Sequence, residues 1–399
     1  MNTVGILIVV FAILAVIMIH EAGHFLMAKY FDFKATKFFL GFGPTLWSFN
    51  RGETEYGVKA IPAGGFVKIV GMNPYEEIPP EDEPRSYPNK PRWQRALVLL
   101  AGPATHWLVA FVLLVVTVMT IGIRTDEATS QIESISALRT DSGTETTAAM
   151  ESGLLPDDRI VGFDGRKTQS WEAISQYIRS HPGEEVAFTV ERGETEKVFE
   201  VTLGRAIFDS RDNPVEYAAP GESIREPRSG EELVGFLGVQ PSRFYEKEAL
   251  PGALLKAGSL TWDFTYGSVM GVKTIFTQVF DGSLLEEVTG SGERDLGEGS
   301  AFGIVAFAKL AGDSFARGEL FELMMMIVGF TVFVGLMNLL PLPPLDGGHL
   351  AVVGYEAVTG NKVDVRKLIP LAAAVIAFFL VLFVAVLYLD IARPVDVDF

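Results

Sequence analysis

The chain contains no cysteine and only five histidines among its 399 residues. Without thiols it can form neither disulfides nor thiolate metal sites, so a bound transition metal would need histidine and carboxylate donors. Basic residues are scarce as well: 33 Lys and Arg stand against 50 Asp and Glu, for a net charge of −17. Nearly all of that excess lies in Arg124–Glu319, with 19 basic and 34 acidic residues. Such a segment argues against nucleic acid and anionic lipid headgroups as partners. A plain solvated surface is the preferred explanation of the charge.

What the chain has in quantity is apolar sequence. Four runs, Val4–Ala28, Ala96–Ile123, Phe321–Leu340 and Leu368–Leu389, are each long enough to cross roughly 30 Å of hydrocarbon as a helix. The first lacks the basic flank and small-residue cleavage site of a signal peptide, so it reads as a retained helix. Ten Lys and Arg between Lys29 and Arg95, and Lys362, Arg366 and Lys367 before the last run, predict that these two loops are cytosolic. Both chain ends and Arg124–Glu319 are then expected outside.

The expected fold is a polytopic α-helical membrane protein with a β-hairpin loop beside the membrane and an inserted α+β domain. The divisions expected are a first spanning helix at 1–30, a β-loop at 31–71 and a cytosolic linker at 72–95. A second span follows at 96–123, an extracytoplasmic domain at 124–248, an amphipathic connecting segment at 249–319, and two further spans at 320–348 and 368–390. Glycine-punctuated stretches rich in β-formers (KATKFFLGFGPTLWSF, TEYGVKAIPAGGFVKIVG) suggest the hairpins. Arg159–Phe163, Val186–Glu191 and Lys197–Leu203 read as strands around a helix near Trp171–Arg179. Gly235–Gln240 reads as one more strand, and Ala206–Gly230 and Asp281–Gly299 as loops. Ala249–Phe280 has helical periodicity suited to a membrane surface.

Residues 16–28 read VIMIHEAGHFLMA. Polar groups at bilayer depth cost a few kcal/mol unless paired or ligated, so they mark function. His20 and His24 are about 400° apart on a helix and share one face. Glu21 lies beside them without sharing their direction. This is the H-E-x-x-H spacing in which two imidazoles hold zinc and the glutamate takes a proton from water that the metal polarises. Two core histidines hydrogen-bonded to neighbouring helices would be the plain alternative. A bis-histidine haem would need ligands on opposite faces, which i, i+4 residues do not offer.

Catalytic zinc usually takes three protein ligands. His20 lies about sixteen residues from the outer end, roughly 24 Å, and the third run reaches Asn338–Leu340 after about eighteen residues, roughly 27 Å. There NLLPLPPLDGGHL forbids a regular helix, and broken backbone at membrane depth is tolerated where it lines a cavity. Asp346, just beyond, is the expected third ligand. A helix N-cap is its alternative role.

The pairing of HEAGH with N-x-x-P-x-x-x-L-D-G resembles the site-2 protease family of intramembrane zinc metalloproteases. GFGPTLW with IPAGGFVKIVGM is similar to that family's β-loop, AGPATH to its G-P-x-x-N motif, and the inserted domain to its PDZ-containing bacterial subgroup. The resemblance implies zinc on His20, His24 and Asp346, Glu21 as base, and Asn338 on substrate backbone or the developing oxyanion. His106 stands where the family has Asn and is expected to bind substrate. SAFGIVAF stands where relatives read S-G-P-x-G-I.

Gly41, Gly43, Gly64 and Gly65 would let an extended substrate approach a β-loop strand, around Phe39–Trp47 or Ala60–Lys68. MESGLLPDDRIVGFDG is similar to a PDZ pattern, with Gly235, Phe236, Leu237 and Gly238 as a loop capturing a terminal carboxylate. A domain that merely excludes bulky substrates is equally compatible. The family cuts single-pass membrane proteins after a first cleavage, often anti-sigma factors or remnant signal peptides. A non-catalytic PDZ scaffold and a metal transporter are the alternative functions.

Overall fold

The computed structural model describes residues 3–73, 75–140, 143–289 and 303–392. The contacts divide the described residues into two units, 3–122 with 247–392, and Ile123–Glu246.

Helix α1 (Thr3–Tyr30) is followed by two long strands, β1 (Ala35–Arg51) and β2 (Thr54–Ile69). Each strand bends in the middle, at Gly41 and Gly43 in β1, both at positive φ. Phe39 therefore pairs with Gly57 on one side and Phe66 on the other, and Trp47 pairs with Val58. The result is a four-stranded ribbon in the order 61–69, 35–42, 54–59, 45–51. Among the described residues its inner half (35–42) is paired on both sides, whereas 61–69 is paired on one side only.

Residues 72–91 are not a loose linker. Two single 3-10 turns, Glu83–Arg85 and Tyr87–Asn89, fold back on the ribbon, with Tyr87 N donating to Val70 O at 2.9 Å. Glu53 in the ribbon's turn binds Lys29 at 2.5 Å and Arg85 at 2.7 Å. The Arg85 guanidinium holds the Glu53 carboxyl well below the usual carboxylate range. Helix α2 (Arg92–Thr120) starts four residues earlier than expected, because buried Arg95 is neutralised by Glu356.

The inserted unit opens with β3 (Ile123–Ile135), the short ribbon β4 (Leu138–Thr140) and β5 (Gly143–Glu145), and α3 (Ala148–Ser152). Strands β6 (Arg159–Phe163) and β7 (Arg166–Lys167) precede α4 (Trp171–Ser180), whose N-terminus Ser170 caps through Ala173 N. Then come β8 (Glu185–Arg192), β9 (Thr195–Thr202), β10 (Gly204–Asp209), β11 (Pro214–Ala218), β12 (Glu231–Phe236) and β13 (Val239–Glu246). The larger sheet runs β13-β3-β6-β8-β9, and a second runs β11-β10-β12. Ile132, Ile160, Ile174, Phe188, Leu203 and Leu237 fill the main core. Two expectations fail here. Ala206–Gly230 contains most of strand β10 and all of β11, whose short buried runs, Ala206–Phe208 and Tyr217–Ala218, its polar composition hides. Gly235–Gln240 is two strands parted by a turn.

The chain returns as α5 (Leu250–Asp281), followed by α6 (Ser283–Thr289), α7 (Ile304–Arg317), α8 (Leu320–Asn338), α9 (Asp346–Thr359) and α10 (Ile369–Ala392). Among the described residues, four helical stretches are long and apolar enough to cross a membrane: Val9–Tyr30, Arg92–Thr120, Leu320–Asn338 and Val365–Ala392. Helix α5 is not a separate surface helix. Its Ala253 and Ala257 are buried, and Leu260 and Phe264 join Leu114 and Val328 in one apolar cluster with α2 and α8. Glu248 N meets Val118 O and Trp107 Nε1 meets Thr265 Oγ1, so α5 runs antiparallel to α2. Residues 283–289 form a helix rather than part of a loop. The rest of that expected loop and the start of SAFGIVAF lie outside the described residues.

Candidate metal centre

Helix α1 crosses α2 at a contact only glycine permits. A Cβ on Gly23 would stand 2.5 Å from the Ala101 carbonyl oxygen and 2.7 Å from Thr105 Cγ2. One residue along each helix, a Cβ on Gly102 would overlap the His24 ring. These two glycines cost helix propensity, about 1 kcal/mol each relative to alanine, and return it as close approach. Pro103 follows, which leaves Leu99 O without its helical donor.

The crossing delivers both imidazoles edge-on to one point. His24 Nδ1 donates to Val98 O at 2.7 Å, leaving Nε2 free. His20 Nδ1 faces His106 Nε2 at 3.0 Å, leaving its own Nε2 free. The two Nε2 atoms are 3.1 Å apart.

The third member comes from the break after α8. Pro341, Pro343 and Pro344 supply no amide hydrogens, so α8 ends at Asn338 and the chain turns before α9. The turn is tight, since a Cβ on Gly347 would run into the Leu339 and Leu340 carbonyls. Asp346, the first residue of α9, brings Oδ2 to 3.1 Å from His20 Nε2 and 3.2 Å from His24 Nε2. The N-cap position of α9 is held by Leu345, not by Asp346.

His20, His24 and Asp346 each offer a donor atom within 4.8 Å of the others. Nitrogen and oxygen donors in this number, buried and with both rear nitrogens of the imidazoles already engaged, suit zinc. They border a cavity of about 110 Å³ with Glu21, Val67, Ile69, Met72 and Val98. At about 30 Å³ per water, that is room for an ion and a few water molecules. Glu21 contacts the backbone of Val67. A Cβ on Gly65 would sit 3.2 Å from Glu21 Cγ, so the free-edge strand passes directly beside the glutamate.

Other expected site residues fall elsewhere. His106 is 2% exposed and stands behind His20, not on the cavity wall. It packs against Gly335 at the α1–α2–α8 junction. Asn338 closes α8 and is not among the cavity's lining residues. Gly64 (φ 139°) abuts the Phe42 ring, and Gly41 abuts Ile61 O, so these two serve the ribbon's bends. Gly43 meets only the Ile61 side chain.

In the inserted unit the expected carboxylate loop, Gly235–Gly238, joins β12 to β13. Gly235 and Phe236 pair with Arg205 and Gly204, and Leu237 is buried in the core. The carbonyls of Leu237 and Gly238 accept from Ala149 and Ser136. Gly235 also presses so closely on the Ile178 carbonyl that a side chain could not fit. An open groove of about 1050 Å³ does exist in this unit, along α4 at Trp171 and Arg179, with Asp126 and Phe244 on its far side.

Sequence reasoning missed Gly23 and Gly102. Their only signal was the waste of a glycine inside each of two helices, and the partner that explains it lies more than seventy residues away.

A paired-histidine and carboxylate donor set beside a glutamate, in a chain with four helices fit to cross a membrane, defines a membrane metallohydrolase. Residues 8–383 match peptidase family M50, and the chain belongs to that family. The zinc metalloprotease Rip1 of Mycobacterium tuberculosis is 28% identical over 99% of both chains. Rip1 of Mycolicibacterium smegmatis is 28% identical over 99% of this chain and 98% of its own. The membrane metalloprotease ARASP, chloroplastic, of Arabidopsis thaliana is 29% identical over 93% of this chain and 75% of its own. The protein is a multi-pass membrane zinc metalloprotease.

Proposed function

We propose that this protease cuts single-pass membrane proteins within the bilayer, after an earlier cut has shortened their outer part. The observation that carries the reading is one cavity holding the donor triad and Glu21, bordered by a strand with a free edge. His20 Nε2, His24 Nε2 and an Asp346 oxygen would hold the zinc. When bound, zinc supplies a Lewis acid that acidifies water and polarises a peptide carbonyl.

The chain's own residues do the rest. Glu21 accepts a proton from the attacking water and passes it to the leaving amine. The edge at 61–69 pairs with the substrate backbone as an added strand, supplying hydrogen bonds that the substrate helix gives up when it unwinds. Of the two strands expected for this task, Phe39–Trp47 lies partly inside the ribbon, whereas Ala60–Lys68 borders Glu21. Asn338, at the end of α8, is placed to meet substrate once an extended chain widens the site. Both chain ends and the inserted unit face outside, as the basic loops imply. The inserted unit restrains bulky substrates, and the Gly235–Gly238 turn, whose carbonyls of Leu237 and Gly238 are engaged within the unit, is the candidate for docking a terminal carboxylate through its backbone N–H groups.

Glu21→Gln tests the reading. The variant should keep its zinc and fold but lose cleavage of a pre-shortened single-pass substrate in proteoliposomes. Cleavage at the wild-type rate would remove Glu21 from the chemistry.

A further inference from the structure

Every polar group at the α1–α2 crossing has a role in the account above except His106. It is one of only five histidines and the most buried of them. An imidazole that gives a metal its Nε2 lone pair while neutral must carry its proton on Nδ1. In a buried site that N–H needs an acceptor, because leaving it unpaired costs about 1–3 kcal/mol.

His24 meets this need with Val98 O. His20 has no backbone carbonyl in that position: its Nδ1 faces His106 Nε2 at 3.0 Å, with the rings tilted by 48°. Val98, Gly102 and His106 follow one another at intervals of four along α2 and so share one face. That face receives the back of His24 at its first position, the body of the His24 ring at its second, and the back of His20 at its third.

We infer that His106 is the positioning residue for His20. Its Nε2 lone pair accepts the His20 Nδ1 proton, which fixes the tautomer and aims His20 Nε2 at the triad, while its own proton sits on Nδ1. It touches neither substrate nor the cavity. The inference rests on His20 being a zinc ligand, as proposed above. The acceptor has to be at the reach of a histidine Nε2. Glutamine extends its side-chain oxygen to about the same distance from the backbone; leucine fills the space and accepts nothing.

The test is zinc affinity of the full-length protein in detergent, measured by competition with a chelator, for wild type, His106→Gln, His106→Leu and His20→Ala. Loss of a ligand's outer partner weakens metal binding by about 10- to 100-fold. His106→Leu should fall in that range and His106→Gln should stay close to wild type. Cobalt-substituted forms of both should keep the wild-type visible spectrum, since the ligands are unchanged. Thermal unfolding of the metal-free proteins separates this from general damage: a merely structural His106 would lower the unfolding temperature of both variants without moving zinc affinity.

Unchanged affinity in His106→Leu overturns the inference, and so does equal weakening in both variants. An altered cobalt spectrum in His106→Gln would also overturn it, making His106 a ligand itself. His20→Ala keeps the two claims apart. If it retains zinc, the ligand assignment fails; if it loses zinc while His106→Leu does not, only the positioning role fails.

Discussion

Replacing Gly102 with alanine adds a single methyl group where the structure has no space for it, because that Cβ would overlap the His24 ring. The ring cannot keep its place. The helices are already in contact through Gly23 and the Ala101 carbonyl, so the relief must come from rotating His24 or parting α1 from α2. Rotation breaks the 2.7 Å bond from Nδ1 to Val98 O and withdraws Nε2 from the triad. Overpacking costs about 1–3 kcal/mol and the lost bond about 0.5–1.5 kcal/mol. Alanine's better helix propensity returns about 1 kcal/mol. The net is a loss of about 0.5–3.5 kcal/mol in stability and, because a ligand itself is displaced, at least the 10- to 100-fold loss of zinc affinity that an outer-partner defect causes. The control is Gly267→Ala on α5, where a Cβ meets nothing within 4 Å. That change should leave zinc binding intact and gain up to about 1 kcal/mol. Both are read by chelator competition and thermal unfolding in detergent. Wild-type zinc affinity in Gly102→Ala would refute the cradle argument.

Other expectations concern the inserted unit. Burial alone would raise the Asp158 carboxyl, but the Arg192 guanidinium at 2.6 Å outweighs it and holds the group below its ordinary value. Its stabilisation is therefore complete above about pH 4 and is lost as pH falls through the lowered value. Asp158→Asn should cost about 1–3 kcal/mol at neutral pH, a deficit that shrinks in acid, checked by hydrogen exchange of β6 and β8 at falling pH. A pH-independent deficit would contradict the assignment. Excising Ile123–Glu246 should permit cleavage of an uncut substrate without accelerating a pre-shortened one. The splice is feasible because Glu248 N reaches Val118 O at 3.3 Å. If the uncut substrate survives while the short one is cut, the restraint idea fails.

The spans and the triad were legible in the sequence because each rests on local spacing. HEAGH needs only the pitch of one helix, and PLPPLDGG carries its own instruction to stop a helix and restart it. The ribbon's two segments were visible from β-formers and glycines. Its four-stranded order was not, because both strands fold on themselves and the register is set by Gly41 and Gly43. Helix α5 was misread because its buried stripe is made of alanines, which bury well but signal weakly. The Gly235–Gly238 turn resembles a binding loop in composition, and pairing with β10 fixes its first two residues, a long-range contact that composition does not reveal. His106 was taken for a substrate contact, since its partner His20 lies 86 positions away and only the helix crossing joins them.

X-ray absorption at the zinc edge of the purified, full-length protein tests the central claim most directly. The account predicts two imidazole nitrogens at about 2.0–2.1 Å and a carboxylate oxygen at about 2.0–2.2 Å. Asp346→Ala should lose the carboxylate oxygen and most of the zinc. A third imidazole in the wild-type spectrum, or an unaltered spectrum in Asp346→Ala, would contradict it.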